Sequence, residues 1–393
     1  MNVLFVINNL YLKGNGLCAS ARRTIGKLRE AGLTVEAISG PNPDPQGPQP
    51  KFLLKDLNIP VIEWFCKKQG YQFADTERDI IKQAVQWADV VHIEEPFDLQ
   101  SAVATEAIRQ GKAVTGTYHL HPENLFASAG LEKSHLFNDS TMRIWKETVF
   151  DKCQILQCPT QNVKDRLNRW HYKSELRVIS NGLVLEELFH PDENTPRKRI
   201  SDAKYQIISI GRLSAEKDYI TLLKAMRYSK HAKDIQLILA GRGPKEKQLF
   251  DYSCKLIHKK VLKYAPRYGF FALEELQQLA TGSDLFVHCA SIEVEGLSCM
   301  EAIQTGLVPV IASGKLTATS QFALSQRSIY PAKNPHALAQ RIDYWLENEE
   351  ARKAEAERYK GLGEEYDINK SIKALIQMFE DAIARRKEVA NIK

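Results

Sequence analysis

Several common features are missing from these 393 residues, and each absence narrows the reading. No run of roughly 18 or more uncharged apolar residues occurs, so no membrane-spanning helix is expected. The first apolar stretch, Val3 to Ile7, is too short for a signal-peptide core and no basic segment precedes it, so no secretory leader is expected. The seven cysteines include no C-x-x-C pair. Their scattered, odd set fits reduced thiols in a cytoplasmic protein and gives no zinc signature. No Asp-x-Asp triplet follows a strand pattern, so no acidic pair is set to carry a divalent metal, and no metal or other cofactor is expected. Internal repeats and low-complexity tracts are also absent.

What is present is ordinary for a soluble globular chain: 44% hydrophobic and 26% charged residues. The length suggests about two domains. The net charge of +6 is unevenly spread. Residues 1–195 hold 22 Lys and Arg against 24 Asp and Glu, whereas residues 196–393 hold 32 against 24. A basic second half suits an anionic ligand or surface. No nucleic-acid-binding signature accompanies it, and no nucleic-acid partner is expected.

Strand and helix patterns alternate along nearly the whole chain. Strands are expected at Asn2–Ile7, Thr34–Ile38, Ile59–Trp64, Asp89–Ile93, Ala113–Tyr118 and Ile155–Cys158, with helices at Ala19–Ala31, Asp75–Trp87 and Leu99–Gln110. A polar linker follows over Asp192–Arg199. The alternation then restarts with strands Tyr205–Ile210, Ile235–Ala240, Leu285–Cys289 and Val308–Ile311. Helices are expected between them and at His336–Glu347 and Ile368–Arg386. Alternation of this kind gives parallel sheets with helices on both faces, here two doubly wound α/β domains in tandem. Ligands of such sheets bind at the carboxyl ends of the strands.

Three segments at strand ends carry candidate chemistry. Gly14-Asn15-Gly16-Leu17-Cys18-Ala19 resembles a dinucleotide fingerprint, but six residues separate it from the first strand. The second strand also ends Ile38-Ser39-Gly40, with no acid for a ribose, so the segment is better read as a ligand-approach loop. Gly211-Arg212-Leu213-Ser214-Ala215-Glu216-Lys217-Asp218 sets two cations between a strand and a helix, which suits a phosphate clamp. Glu293-Val294-Glu295-Gly296-Leu297-Ser298-Cys299-Met300-Glu301-Ala302 runs from a strand into a helix. The first amides of that helix, at Gly296, Leu297 and Ser298, suit a diphosphate, and Glu301 suits a pair of ribose hydroxyls.

Glu293 and Glu301, with seven residues between them, resemble the E-x7-E motif of family-four retaining glycosyltransferases. Val178-Ile179-Ser180-Asn181-Gly182, Phe189-His190-Pro191, Gly211-Arg212-Leu213, Ala240-Gly241-Arg242-Gly243-Pro244 and Gly306-Leu307-Val308-Pro309 follow in the family's order. The resemblance implies a GT-B fold. Its N-terminal, acceptor-binding domain would span residues 1–191, joined by the last helix at 368–386. A C-terminal, nucleotide-sugar-binding domain would span 196–360. It further implies that Arg212 and Lys217 hold the donor diphosphate, Glu301 the ribose and Glu293 the transferred sugar or its phosphate. His119, in Thr117-Tyr118-His119, would lie beside the anomeric carbon, with His121 supporting it or touching the acceptor. Gly14, Asn15 and Gly16 would form the acceptor-side loop. Glu295 stands where the family commonly has Phe, an added carboxylate aimed at a ligand or at solvent.

The resemblance extends to enzymes that add one hexose to a membrane lipid. Aromatic and aliphatic residues gather between Pro122 and Phe150, among them Leu136, Phe137 and Trp145. A basic amphipathic helix is expected at Asn162–Tyr172, with Lys164, Arg166, Arg169 and, just beyond it, Lys173 on its polar side; it is read either as an ordinary surface helix with its apolar side in the core or as one that lies on an anionic membrane. The expected reaction is transfer of a hexose from a nucleotide-sugar, with UDP as the nucleotide, to a lipid hydroxyl at the inner membrane face. A saccharide or polyprenyl-linked oligosaccharide acceptor is the alternative within the class, and a nucleotide-sugar epimerase of the same fold is the alternative outside it.

Overall fold

The computed structural model describes residues 1–12, 15–57, 72–127, 130–184 and 197–391. The chain divides into two compact units, Met1–Phe126 with Leu131–Gly182 and Ile368–Lys393, and Ala127–Gly130 with Leu183–Asp367.

The first unit holds strands β1 (Asn2–Val6), β2 (Thr34–Ser39), β3 (Phe52–Leu53), β4 (Val90–Ile93), β5 (Ala113–Thr117), β6 (Ile155–Cys158) and β7 (Glu175–Val178). They form a seven-stranded sheet in the order β3-β2-β1-β4-β5-β6-β7. Every pairing in it is parallel. Its central strands are apolar runs because both faces are covered: all residues of β4, β5 and β6 are buried. Helices Gly16–Glu30, Arg78–Trp87 and Asp98–Arg109 supply cover, and so does the last helix, Ile368–Asn391. That helix returns to the first unit by burying Ile368, Ile372, Leu375, Met378, Phe379 and Ala382 on one stripe. The spacing of three or four residues is that of a single helix face.

The second unit repeats the plan with β8 (Tyr205–Ile210), β9 (Ile235–Ala240), β10 (Arg267–Gly269), β11 (Leu285–His288), β12 (Pro309–Ser313) and β13 (Ile329–Pro331). The order is β10-β9-β8-β11-β12-β13, again parallel throughout. In both sheets the winding reverses beside the first strand, between β1 and β4 and between β8 and β11. The loops leaving those strands diverge there and open a crevice at their carboxyl ends.

The expected strands and helices are found with ends shifted by a few residues, and additional elements appear. Strands β3, β7, β10 and β13 are short edge pieces. Too few residues in each face the core to make a pattern. Helices His135–Thr148, Glu246–His258 and Glu349–Lys360 are largely solvent-facing, so their apolar stripes are thin. The expected strand Ile59–Trp64, Gly14, the Phe189-His190-Pro191 landmark and most of the Asp192–Arg199 linker lie outside the described residues.

Candidate active site

In the second unit the candidate residues gather at the reversal between β8 and β11. The loop after β8 carries Gly211 to Asp218, and the next strand-end loop packs directly on it. A Cβ on Gly241 would lie 2.0 Å from the Gly211 carbonyl oxygen, and one on Gly243 would lie 2.4 Å from that of Leu213. Only glycine permits this approach, which is fixed by Leu213 N–H donating to Arg242 O at 2.9 Å and Lys245 N–H to Leu213 O at 2.8 Å. The loop therefore holds Arg212 and Lys217 on a firm base. Arg212 reaches Glu216 at 3.7 Å, and Glu216 also accepts from Ser214 Oγ at 2.5 Å. Lys217 Nζ donates directly to Glu293 Oε2.

Glu293 is itself pinned by its backbone. Its N–H donates to Leu316 O at 2.8 Å, and its carbonyl accepts from Ala318 N–H at 3.0 Å. Burial opposes its ionisation, but the Lys217 charge and contact with His288 outweigh that and hold the carboxyl at about 2. His288, the last residue of β11, lies 3.6 Å from the same oxygen and 3.3 Å from Thr319 Oγ1. Its own pKa is lowered, chiefly because burial disfavours the cation.

Gly296 then turns the chain into helix Leu297–Gln304 at φ 94°, a left-handed conformation suited to glycine. A Cβ here would meet Thr319 Oγ1 at 2.6 Å. Leu297 and Ser298 occupy the first turn, where backbone N–H groups have no partner within the helix. Glu301 follows one turn later and is partly exposed. A lysine, an arginine and a helix N-terminus at one strand-end crevice can bind an anion with charge and directed donors.

In the first unit the equivalent crevice holds a buried polar network. Glu94 and Glu95 follow β4 and are 3% and 5% exposed. Glu94 Oε2 lies 2.7 Å from His119 Nε2, and Glu94 Oε1 lies 3.3 Å from His92 Nε2. Burial again opposes ionisation, and the charge and hydrogen bonds of His119 and His92 overcome it, so the Glu94 carboxyl is held at about 2. Its neighbour behaves oppositely. Glu95 accepts from Asn8 N–H at 2.6 Å, Asn8 Nδ2 at 2.8 Å and Gln100 Nε2 at 3.0 Å. Burial and the nearby Glu94 charge nevertheless push it up to about 7.

Residues 14–187 match the family described as Glycosyltransferase Family 4, and residues 191–361 match Glycosyl transferases group 1. The chain belongs to the glycosyltransferases. This glycosyltransferase is 24% identical to α-monoglucosyldiacylglycerol synthase of Streptococcus pneumoniae over 308 residues, 76% of this chain and 68% of that protein. It is 39% identical to the catalytic domain of cholesterol-α-glucosyltransferase from Helicobacter pylori, covering 41% of this chain and 99% of that one, at a TM-score of 0.36. Anabaena HepE in complex with UDP superposes at a TM-score of 0.69 with 14% identity, over 97% of this chain and 100% of that one. The fold of the glycosyltransferase is thus GT-B, with two Rossmann-like domains.

Within the second unit of the glycosyltransferase, Arg212, Lys217, Glu293, Gly296, Leu297, Ser298 and Glu301 lie on loops and a helix start at the β8 and β11 ends. His119 follows β5 in the first unit. His121 is fully buried, 3.3 Å from the Tyr118 hydroxyl, so it supports its neighbours and offers no surface to a ligand. Asn15 caps helix Gly16–Glu30, accepting from Leu17 N–H at 3.0 Å, and Gly16 begins that helix with open space around it. Glu295 is 3% exposed and is not aimed at solvent.

The basic helix needs correction. It spans Gln161–Arg169, and Arg166 is buried, with Nη2 donating to both oxygens of Glu123 at 2.8 and 3.0 Å. A membrane would therefore meet only Lys164 and Arg169 of the three expected on the helix. Sequence reasoning also missed the contacts of His288 and Thr319 beside Glu293, and those of His92 and Glu94 beside His119. The available signal was a histidine inside each of two otherwise apolar strands, Val90-Val91-His92-Ile93 and Leu285-Phe286-Val287-His288.

Proposed function

We propose that this glycosyltransferase is a retaining hexosyltransferase that moves a hexose from UDP-hexose to a hydroxyl of a membrane lipid, giving an α-linked glycolipid. The observation that carries the reading is the Lys217–Glu293 pair beside the first turn of helix Leu297–Gln304. In this reading the helix-start amides, Lys217 and Arg212 hold the diphosphate. Glu293 keeps Lys217 in place and contacts the sugar, and Glu301 takes the ribose hydroxyls. The charge on the diphosphate grows as the C1–O bond breaks, so these contacts strengthen in the transition state. The acceptor oxygen attacks C1 from the face the diphosphate leaves, and its proton passes to the departing phosphate oxygen. Configuration is retained without a covalent intermediate. His119 steadies the developing positive charge, and the cations take the place of a metal ion. Among the described residues no group of three or more His, Cys, Asp or Glu could hold one.

The lipid acceptor is supported by the relative named α-monoglucosyldiacylglycerol synthase. It is supported also by helix His135–Thr148 of the first unit, where Leu136 is 74% and Ile144 57% exposed beside exposed Phe137 and Arg143. Apolar side chains with a cation among them suit a lipid headgroup boundary. No helix among the described residues is long and apolar enough to cross a membrane.

The test is incubation of the protein with UDP-glucose and vesicles of diacylglycerol and phosphatidylglycerol, with chelator present. The expected product is a monohexosyl lipid with an α-anomeric proton signal. A β-anomer overturns retention, and a requirement for Mn²⁺ overturns the metal-free reading. A product formed only on soluble saccharides moves the acceptor, and an isomerised UDP-sugar without transfer makes the protein an epimerase.

A further inference from the structure

The buried network around Glu94 settles the proton positions from Gln157 to His92 Nε2. Ile179 O can only accept, so Gln157 turns its Nε2 toward it at 2.9 Å and its Oε1 toward Thr117. The Thr117 hydroxyl must then donate to Gln157 Oε1, at 2.6 Å. Its oxygen is left to accept from His92 Nε2, at 3.0 Å, so His92 carries its proton on Nε2. The same N–H lies 3.3 Å from Glu94 Oε1. On its other side the His92 ring meets Thr115 Oγ1 at 3.0 Å, and the rings of Phe5 and Phe379 pack against it at 4.9 and 5.3 Å. Glu94 cannot rotate away: its N–H donates to Val6 O at 3.1 Å, and both carboxylate oxygens are engaged. Its second oxygen accepts from His119 Nε2 at 2.7 Å.

We propose that Glu94 is a positioning residue for His119, holding its proton on Nε2 and leaving Nδ1 as the nitrogen that accepts a hydrogen bond from a hydroxyl of the substrate. The inference rests on the reading of His119 as a site residue. The groups facing His119 from the packed elements are Glu94 after β4, with His92 on β4 and Glu95 behind it. A carboxylate behind an imidazole fixes tautomer and ring orientation together. Among the described residues Nδ1 makes no hydrogen bond, and the His119 side chain keeps 9% of its surface exposed. Nothing in composition or spacing marks Glu94 as a partner of a histidine 25 residues on.

The test labels histidine with ¹⁵N and follows His119, identified by its loss in His119→Ala, in the full chain with Glu94→Gln. An ionised carboxylate only accepts, whereas an amide can also donate, so the substitution frees the choice of tautomer. The wild-type ring is expected to show a single Nε2–H tautomer at pH 8, and the variant a mixture. With UDP-glucose as the probe, Glu94→Gln should lower kcat about 10- to 100-fold with the UDP-glucose KM within about twofold, the loss expected of a misoriented contact made in the transition state. Thr117→Val, which cuts the relay one step earlier without adding bulk, should move both readouts in the same direction by less. An unchanged His119 tautomer in Glu94→Gln overturns the inference even if the rate falls. An unchanged rate in His119→Ala overturns instead the placement of His119 in the site, and the tautomer result still decides whether Glu94 positions it.

Discussion

The loops that leave β1, β4 and β5 carry Asn8, Glu94, Glu95 and His119, while those that leave β8 and β11 carry Arg212, Lys217 and Glu293. Both sets lie at the carboxyl edge of a parallel sheet, near the point where its winding reverses. In the first unit the polar groups satisfy one another and are buried. In the second, cations and a helix start stay partly open, and glycines strip side chains from the approach. The charge split follows the same division, with 22 Lys and Arg against 24 Asp and Glu up to residue 195 and 32 against 24 beyond it. The fold supplies the crevice twice, and the side chains decide what each is suited to: the proposed roles are to orient a hydroxylic group in one and to receive an anion in the other.

The comparison breaks most readily at the charged end. Lys217→Ala should reduce kcat/KM for UDP-glucose on the order of 100-fold, since a charge-assisted hydrogen bond is worth about 1.5–3 kcal/mol and strengthens as the diphosphate leaves. Arg212→Ala should cost less, because its side chain is more exposed and already leans on Glu216. Wild-type rates at subsaturating donor in both variants would remove the distinction between the two crevices.

A pH titration sharpens the other side. Glu95 has a folded pKa raised from 4.5 to about 7, so its contribution is full below pH 4.5 and is lost as pH rises through about 7. Wild-type stability should therefore fall over that window, by roughly 3 kcal/mol. Glu95→Gln, which stays neutral, should flatten the fall. Glu94 has the opposite sign. Its depressed pKa stabilises the fold above pH 4.5, and that is lost as pH falls toward 2. Chemical denaturation at a series of pH values reads both, and an unaltered slope in Glu95→Gln would refute the assignment.

The glycines offer a smaller contrast. Gly296→Ala forces a left-handed φ on alanine and drives Cβ to 2.6 Å from Thr319 Oγ1, at a cost of about 1–3 kcal/mol. Gly16→Ala meets nothing within 4 Å and should be neutral or stabilising by up to about 1 kcal/mol. Equal denaturation midpoints would break the contrast between Gly296 and Gly16.

The smallest effect is expected at the lipid-facing surface proposed for the first unit. Leu136→Asp with Ile144→Asp should lower co-sedimentation with anionic vesicles about tenfold. Lys164→Glu with Arg169→Glu should lower it less, because a helix that does not meet the bilayer loses none of the roughly 1 kcal/mol that each membrane-facing cation contributes. The reverse ranking would restore the basic helix as the contact.

The sequence alone was enough for the alternation of strands and helices, because a strand buried on both faces must be an apolar run, as Val3–Val6 and Leu285–Val287 are. It was also enough for the positions of Lys217, Glu293 and Gly296, since local order places strand ends and helix starts wherever the pattern changes. Edge strands such as Arg267–Gly269 left no trace because one neighbour and few core contacts impose no pattern. Tertiary structure alone decided that Arg166 pairs with Glu123 across 43 residues. It alone decided that His121 is buried and that Glu94 reaches His119. Burial and pairing of polar side chains depend on which strands become neighbours, and a parallel sheet brings those neighbours together from distant parts of the chain.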